Sequence, residues 1–286
     1  MISHSAFLIP VLVLWAVVST PVDALDYGDS GTGASESGDF GAAAAEPVEQ
    51  PEIPEIIATQ KTPAEQWASA IANDDTEQLI TLFETHEAPQ TLLSHTASNG
   101  KTALMVACKT GELPLAKTLV AAGANLKQKT VTGGTAFMFA VLGNELDAAQ
   151  WLYDQGVDVQ AQGSNGWSAV TIAAAKGSDE LLRWLISIGA DANAPDVYRF
   201  SPLMRAVDNG HVDVVKVLLS AEGIDIDQQD ERNNTALHYA VAANRTDLVS
   251  LLLDAGASSD LQNREGETAK TMAQDEAALL ALFQRR

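Results

Sequence analysis

The chain has 286 residues, of which 46% are apolar, and it contains a single cysteine. This is enough apolar material for one or two domains with a sizeable core, whereas one cysteine excludes an intramolecular disulfide framework and any site built from several thiolates. Seventeen Lys and Arg against 38 Asp and Glu give a net charge of −21 at pH 7. Such a surface repels phosphate backbones and anionic lipid head groups, so nucleic acid is not an expected partner.

Residues 1–24 have the pattern of an export signal. Ala6 to Val18 form an apolar run of 13 residues, which is too short to span a bilayer but fits a signal-peptide core. Val22-Asp23-Ala24 carries the cleavage pattern, so we expect cleavage after Ala24 and no stable membrane insertion of the mature chain. Neither Lys nor Arg precedes the run, which leaves an uncleaved membrane anchor as the alternative.

Residues 25–62 change composition to Gly, Ser, Ala, Glu and Pro. Eight acids, from Asp26 to Glu55, face the single cation Lys61. A segment of this kind repels itself and lacks the apolar content that would offset its ordering entropy. We therefore expect a disordered acidic linker, with docking of this segment on a basic partner as the alternative.

Residues 63–286 carry an internal repeat. A hydroxyl residue recurs with spacings of 33, 33, 33, 34 and 33, at Thr102, Thr135, Ser168, Ser201, Thr235 and Thr268. Ser and Thr are preferred helix N-caps. Gly or Asn, which tolerate a left-handed cap, stands nine residues after each of the first five hydroxyls. Each unit is therefore predicted to begin and end one short helix, with a second apolar helix following, and one inserted residue near Glu222 explains the spacing of 34.

Two signatures make this repeat specific: Ser201-Pro202-Leu203-Met204 and Thr235-Ala236-Leu237-His238. Together with the stretch Gly210-His211-Val212-Asp213-Val214-Val215-Lys216-Val217-Leu218-Leu219, they resemble the ankyrin repeat family. The resemblance covers five full repeats, 98–260, with degenerate caps at 63–97 and 261–286. It implies an all-α solenoid of helix pairs joined by hairpin-like loops, whose role is to bind another protein.

Patterns of catalytic, cofactor or metal chemistry are missing from the sequence. In the family the signature histidine, here His238, bonds between neighbouring repeats. Cys108 takes an inner-helix alanine position that is normally buried. Gly133-Gly134 lacks the following Lys-Ser/Thr of a phosphate loop. We therefore expect no enzymatic activity, no cofactor and no metal; a hidden hydrolase would require an acid–base pair inside a pocket.

The concave surface of an ankyrin-like stack consists of loop tips and first helices. The candidate partner-binding residues at these positions are Val131, Phe139, Leu142, Trp167, Val197, Tyr198, Phe200 and Arg232. Trp167, Tyr198 and Phe200 place three aromatic rings on two adjacent tips, and aromatic side chains are enriched in interface hot spots. The alternative is that Trp167 and Phe200 pack tip against tip and stiffen the loops.

The resulting hypothesis is an exported, monomeric, acidic binding protein of the periplasm, or alternatively of the extracellular space. It acts by occupying one protein partner, and a basic partner fits its charge. By analogy with similar proteins, the role is that of a stress-related accessory or a toxin-neutralising inhibitor. The alternative is a secreted effector or envelope spacer that acts through its acidic linker.

Overall fold

The computed structural model describes residues 61–284. The predicted signal peptide, the predicted linker up to residue 60 and the last two arginines lie outside the described residues. The predicted leader, its cleavage and the alternative of a membrane anchor therefore stay predictions.

Residues 61–284 are built from short helices. In chain order they are α1 (Pro63–Asn73), α2 (Thr76–Thr85), a 3-10 helix (Pro89–Ser94), α3 (Ala103–Lys109), α4 (Leu113–Ala121), α5 (Ala136–Gly143), α6 (Leu146–Asp154), α7 (Ala169–Lys176), α8 (Asp179–Ser187), α9 (Pro202–Asp208), α10 (Val212–Leu219), α11 (Ala236–Ala242), α12 (Thr246–Asp254), α13 (Ala269–Met272) and α14 (Ala277–Gln284). The predicted all-α class is confirmed.

The helices form two layers. Within each repeat the first helix packs on the second, as α3 does on α4 and α5 on α6. Between repeats the first helices contact one another in an inner row from α3 through α5, α7, α9 and α11 to α13, and α8, α10, α12 and α14 form an outer row. The predicted solenoid is therefore confirmed.

The predicted helix boundaries are also confirmed. Thr135 and Ser168 accept hydrogen bonds from the backbone N–H three residues later, as N-caps do. Asn144 ends α5 in the left-handed conformation, with φ of 62°. In the longer unit Gly223, with φ of 74°, stands one residue later than its counterparts in the other units, as the inserted residue requires.

Small residues allow the inner helices to approach closely. All residues from Ala169 to Ala174 of α7 are buried, as are Ala103 to Cys108 of α3. Gly143 of α5 lies so close to α3 that a Cβ atom there would stand 1.8 Å from the carbonyl oxygen of Lys109. The core thus runs along the stack, and the loop tips project from one edge of the inner row.

Candidate functional site

A backbone ladder holds the loop tips in register. We define a tip as the five residues that precede each repeat's hydroxyl. The N–H groups of Val131 and Val197 donate to the carbonyls of Asn99 and Asn165 in the preceding tips, at 2.8 and 3.2 Å. The equivalent bonds start from Ser164, Glu231 and Arg264 and measure 2.8, 3.2 and 2.8 Å. The tips therefore form one continuous edge, on which side chains recur at each repeat.

The predicted binding residues divide into exposed and half-buried groups. Val131, Val197 and Tyr198 are 78, 51 and 53% exposed, and Arg232 is also exposed. The other four are half-buried: Phe139, Leu142, Trp167 and Phe200. Tyr198 is therefore the one member of the predicted aromatic trio that is more than half exposed.

Trp167 and Phe200 pack around Arg205, a cation that is not among the predicted binding residues. The guanidinium carbon of Arg205 lies 4.3 Å from the ring centroid of Phe200 and 5.3 Å from that of Trp167. These are distances at which a cation is attracted to an aromatic face. The two rings thus have a packing role, as the alternative expectation proposed, although they act through Arg205.

Asp196 anchors this arrangement from the base of its tip. One carboxylate oxygen accepts hydrogen bonds from the N–H groups of Tyr198 and Phe200, each at 2.9 Å. The other oxygen pairs with the guanidinium of Arg205. The Asp196 carboxylate is almost fully buried. These three partners therefore offset the cost of burying its charge.

The next repeat has the same arrangement, with Tyr239 in the place of Arg205. The Tyr239 ring lies 4.8 Å from that of Phe200, and its hydroxyl donates to Asp230. Burial raises the pKa of the Tyr239 hydroxyl above its ordinary range, so it remains a hydrogen-bond donor at neutral pH. Arg205 and Tyr239 stand four residues after the repeat hydroxyl, as Phe139 does. Counting the same position through every repeat would have found both.

Phe139 and Leu142 lie in different surroundings. Phe139 packs beneath its tip, where a Cβ atom on Gly134 would stand 3.2 Å from the ring. Leu142 lines a groove of about 350 Å³ at the turns between the paired helices, together with Lys176 and Glu180. Leu142 thus belongs to a polar groove, whereas the aromatic side chains gather at the tips.

The histidine and thiol groups are engaged in packing. The buried His238 ring accepts a hydrogen bond from the Thr235 N–H at 3.1 Å, and its other nitrogen lies 3.3 Å from the Glu267 carbonyl of the next repeat. Burial lowers the pKa of His238, so the ring is neutral at pH 7. Burial also raises the pKa of the Cys108 thiol to about 12, which leaves it protonated and unreactive.

Residues 61–284 show neither a metal-binding group nor a membrane-spanning helix. They contain no group of three or more His, Cys, Asp or Glu placed to hold a metal ion. Over the same residues, no helix combines the length and apolarity that crossing a bilayer requires.

Comparison with known proteins identifies the repeat. A family model described as ankyrin repeats (3 copies) matches residues 67–163 and 146–230, and one described as ankyrin repeats (many copies) matches 221–273. The chain belongs to the ankyrin repeat family. The solved ankyrin repeat domain of Bcl-3, a member of the IkappaB protein family, superposes with a TM-score of 0.62 at 26% identity. That match covers 78% of this chain and 98% of the Bcl-3 domain.

Curated relatives match shorter stretches. Human palmitoyltransferase ZDHHC17 is 44% identical over 75 residues, 26% of this chain and 12% of that protein. The rice BTB/POZ domain and ankyrin repeat-containing protein NH5.2 is 38% identical over 69 residues, 24% of this chain and 13% of that protein. The aligned part of this chain thus spans about an eighth of each relative. What these relatives share with it is the ankyrin repeat, generally a non-catalytic module for protein–protein interaction.

Proposed function

We propose that this ankyrin repeat protein is an exported, non-catalytic binding protein of the cell envelope that holds one protein partner on its concave surface. The observation that carries the proposal is the row of exposed apolar side chains Val131, Val197 and Tyr198 on tips locked in register. Large apolar side chains on a projecting edge are typical of interaction sites. The export signal predicted for residues 1–24 supports the envelope location.

Preorganisation favours binding at this edge. The backbone ladder and the stacking of Arg205 between Trp167 and Phe200 fix the tips before a partner arrives. Since little conformational entropy remains to be lost there, more of the contact energy is available for affinity. Trp167 and Phe200 therefore support the surface, and Tyr198 with the two valines contacts the partner.

The charge of the repeat domain favours a basic partner. Residues 61–284 contain 15 Lys and Arg against 29 Asp and Glu. Complementary charge raises the rate of association and selects among partners. A basic toxin that enters the envelope is one partner of this kind, and neutralisation by occupancy is the corresponding role.

The test is affinity capture from the native host's envelope fraction with the tagged full chain. We expect a tip variant, with Val131→Ser, Val197→Ser and Tyr198→Ser, to lose a partner that the wild type captures. The control is Glu84→Ser, Lys117→Ser and Glu222→Ser, three exposed positions outside the tips and inner helices, which should keep it. The partner named by mass spectrometry is then titrated against all three proteins.

Equal capture by both variants would disprove binding at the tips. In that case a chain without residues 26–60 decides the remaining question. Loss of the partner from this deletion would assign the activity to the acidic segment, as the alternative of an effector or spacer requires.

A further inference from the structure

The outer helices of two adjacent repeats carry a second aromatic surface, away from the tips. We call the side chains of Trp151 and Tyr153 on α6 and Trp184 on α8 the outer aromatic patch. Tyr153 meets Trp184 edge to face, with ring centroids 5.9 Å apart. Tyr153 is 41% exposed, and both tryptophans are half-buried. Tyr153 and Trp184 therefore form a ledge that reaches solvent, while Trp151, two residues before Tyr153, lies on another side of α6.

One member of the patch, Trp184, also has a packing role. Trp184 also lies 6.2 Å from the buried ring of Phe137, centroid to centroid, and so covers the core between the two repeats. The Trp184 ring also contacts Tyr153, whose side chain is not among those packed on the common core. The exposed ring of Tyr153 is therefore available to contact a partner.

Acidic side chains alternate with the rings. Asp147 and Asp154 precede and follow Trp151 by four and three residues, so they lie beside it on the same face of α6. Glu180 stands in the same relation to Trp184 on α8. All three carboxylates are exposed, and none has an ion-pair partner within residues 61–284.

Helix α6 carries no positive charge. No Lys or Arg occurs between Lys129 and Lys176, a stretch that includes all of α5 and α6. Two cations lie near α8: Lys176 lines the same groove as Glu180, and Arg183 is paired with Asp179 at 3.8 Å. The exposed ring of Tyr153, the half-buried tryptophans and the unpaired carboxylates form a surface that attracts cations by ring stacking and by ion pairing.

We infer that the outer aromatic patch is a second interaction surface, which binds an arginine-rich segment of a partner protein. Guanidinium groups stack on Tyr153 and Trp151 while Asp147, Asp154 and Glu180 neutralise their charge. A second copy of this chain does not suit the surface, because it would bring a repeat of the same charge against it. The domain would thus bind on two sides, at the tips and on the outer helices.

The test uses a fluorescein-labelled peptide of nine arginines, titrated by fluorescence anisotropy against the full chain in about 0.15 M salt, where more distant charges are largely screened. We expect the patch variant Asp147→Asn, Asp154→Asn, Glu180→Gln to bind about fivefold more weakly. Tyr153→Leu, which keeps apolar area but removes the ring, should weaken binding about two- to threefold. The control Glu222→Gln, Asp225→Asn, Glu276→Gln removes the same charge from exposed positions elsewhere.

The control separates a site from general attraction to an acidic protein. If both triple variants weaken binding equally, the inference is wrong. A version of the peptide with a central photoreactive group supplies a local readout: cross-links to α6 and α8 support the site, and cross-links confined to the acidic residues 26–55 overturn it. Dimerisation of the wild type that Tyr153→Leu abolishes would assign the patch to a second copy and would also overturn it.

Discussion

Asp196 connects the backbone of a loop tip to the side chains of the concave surface. Its carboxylate accepts hydrogen bonds from two N–H groups of its own tip and pairs with the guanidinium that lies over Trp167 and Phe200. A buried ion pair adds little to stability by itself, but removing one member leaves the other charge buried without a partner. The shape of the concave surface thus depends on a residue that a partner need not touch.

We therefore expect Asp196→Ala to lower the free energy of unfolding by about 3 to 5 kcal/mol, measured by urea denaturation. Asp225→Ala, at an exposed position, should change it by less than about 0.5 kcal/mol. Asp196→Asn keeps an oxygen that can accept from the two N–H groups but loses the charge. The fall in its free energy of unfolding therefore measures mainly the loss of the ion pair. Equal costs for Asp196→Ala and Asp225→Ala would contradict the role given to Asp196.

At the scale of the helix pair, local features were predictable from the sequence and lateral contacts were not. A hydroxyl N-cap and a left-handed Gly or Asn act within one or two turns, so the 33-residue spacing predicts where α5 and α7 begin and end. The stacking of Arg205 requires rings from two neighbouring tips. Spacing indicates which positions face the tips but not which residues meet there, so it predicts Trp167 as a binding residue without predicting its contact with Arg205.

Gly143 shows a contact between helices that opposes helix propensity. Alanine is favoured over glycine by about 1 kcal/mol inside a helix, yet a Cβ at Gly143 would collide with the Lys109 carbonyl. We expect Gly143→Ala to destabilise the fold by about 1 to 3 kcal/mol, as overpacked cores are. Lys176→Ala, at the same repeat position in α7, should be nearly neutral. A rise in the thermal unfolding midpoint for Gly143→Ala would show that α3 and α5 are farther apart.

His238 makes the contact between the last two hydroxyl units sensitive to pH. Because burial depresses its folded pKa below the ordinary 6.5, the unfolded chain binds a proton more readily. The neutral ring's contribution is complete above about pH 6.5 and declines as the pH falls from there through the folded pKa. The slope cannot exceed about 1.4 kcal/mol per pH unit for one proton.

The corresponding prediction concerns His238→Gln, compared with the wild type by urea unfolding at pH 7.5 and pH 5. The variant should be less stable at pH 7.5, because it loses the bonds to Thr235 and Glu267. The difference in free energy of unfolding between the variant and the wild type should narrow at pH 5. The wild type loses stability as His238 becomes harder to keep neutral, whereas glutamine does not titrate. A deficit that stays constant would mean that protonation of His238 does not oppose folding.

Over the whole repeat domain, each repeat is stabilised mainly by its contacts with the adjacent repeats. Each inner helix contacts the inner helices before and after it, so every repeat depends chiefly on adjacent repeats. The last pair, α13 and α14, covers the end of the stack: α13 packs on α11 and α14 on α12. The terminal pair is therefore expected to protect its neighbours and to have little effect on distant repeats.

Leu279 on α14 tests this expectation. It is buried in the common core, whereas Leu280 beside it is only half-buried and does not pack on that core. Leu279→Ala should lower the free energy of unfolding of α14 by about 2 to 5 kcal/mol. Leu280→Ala should lower it much less. In hydrogen exchange, the amides of α11 and α12 should lose protection in the first variant while those of α3 to α6 keep it, because local openings propagate only to contacting repeats. Equal loss of protection from α3 to α12 would mean that the repeats unfold as one cooperative unit.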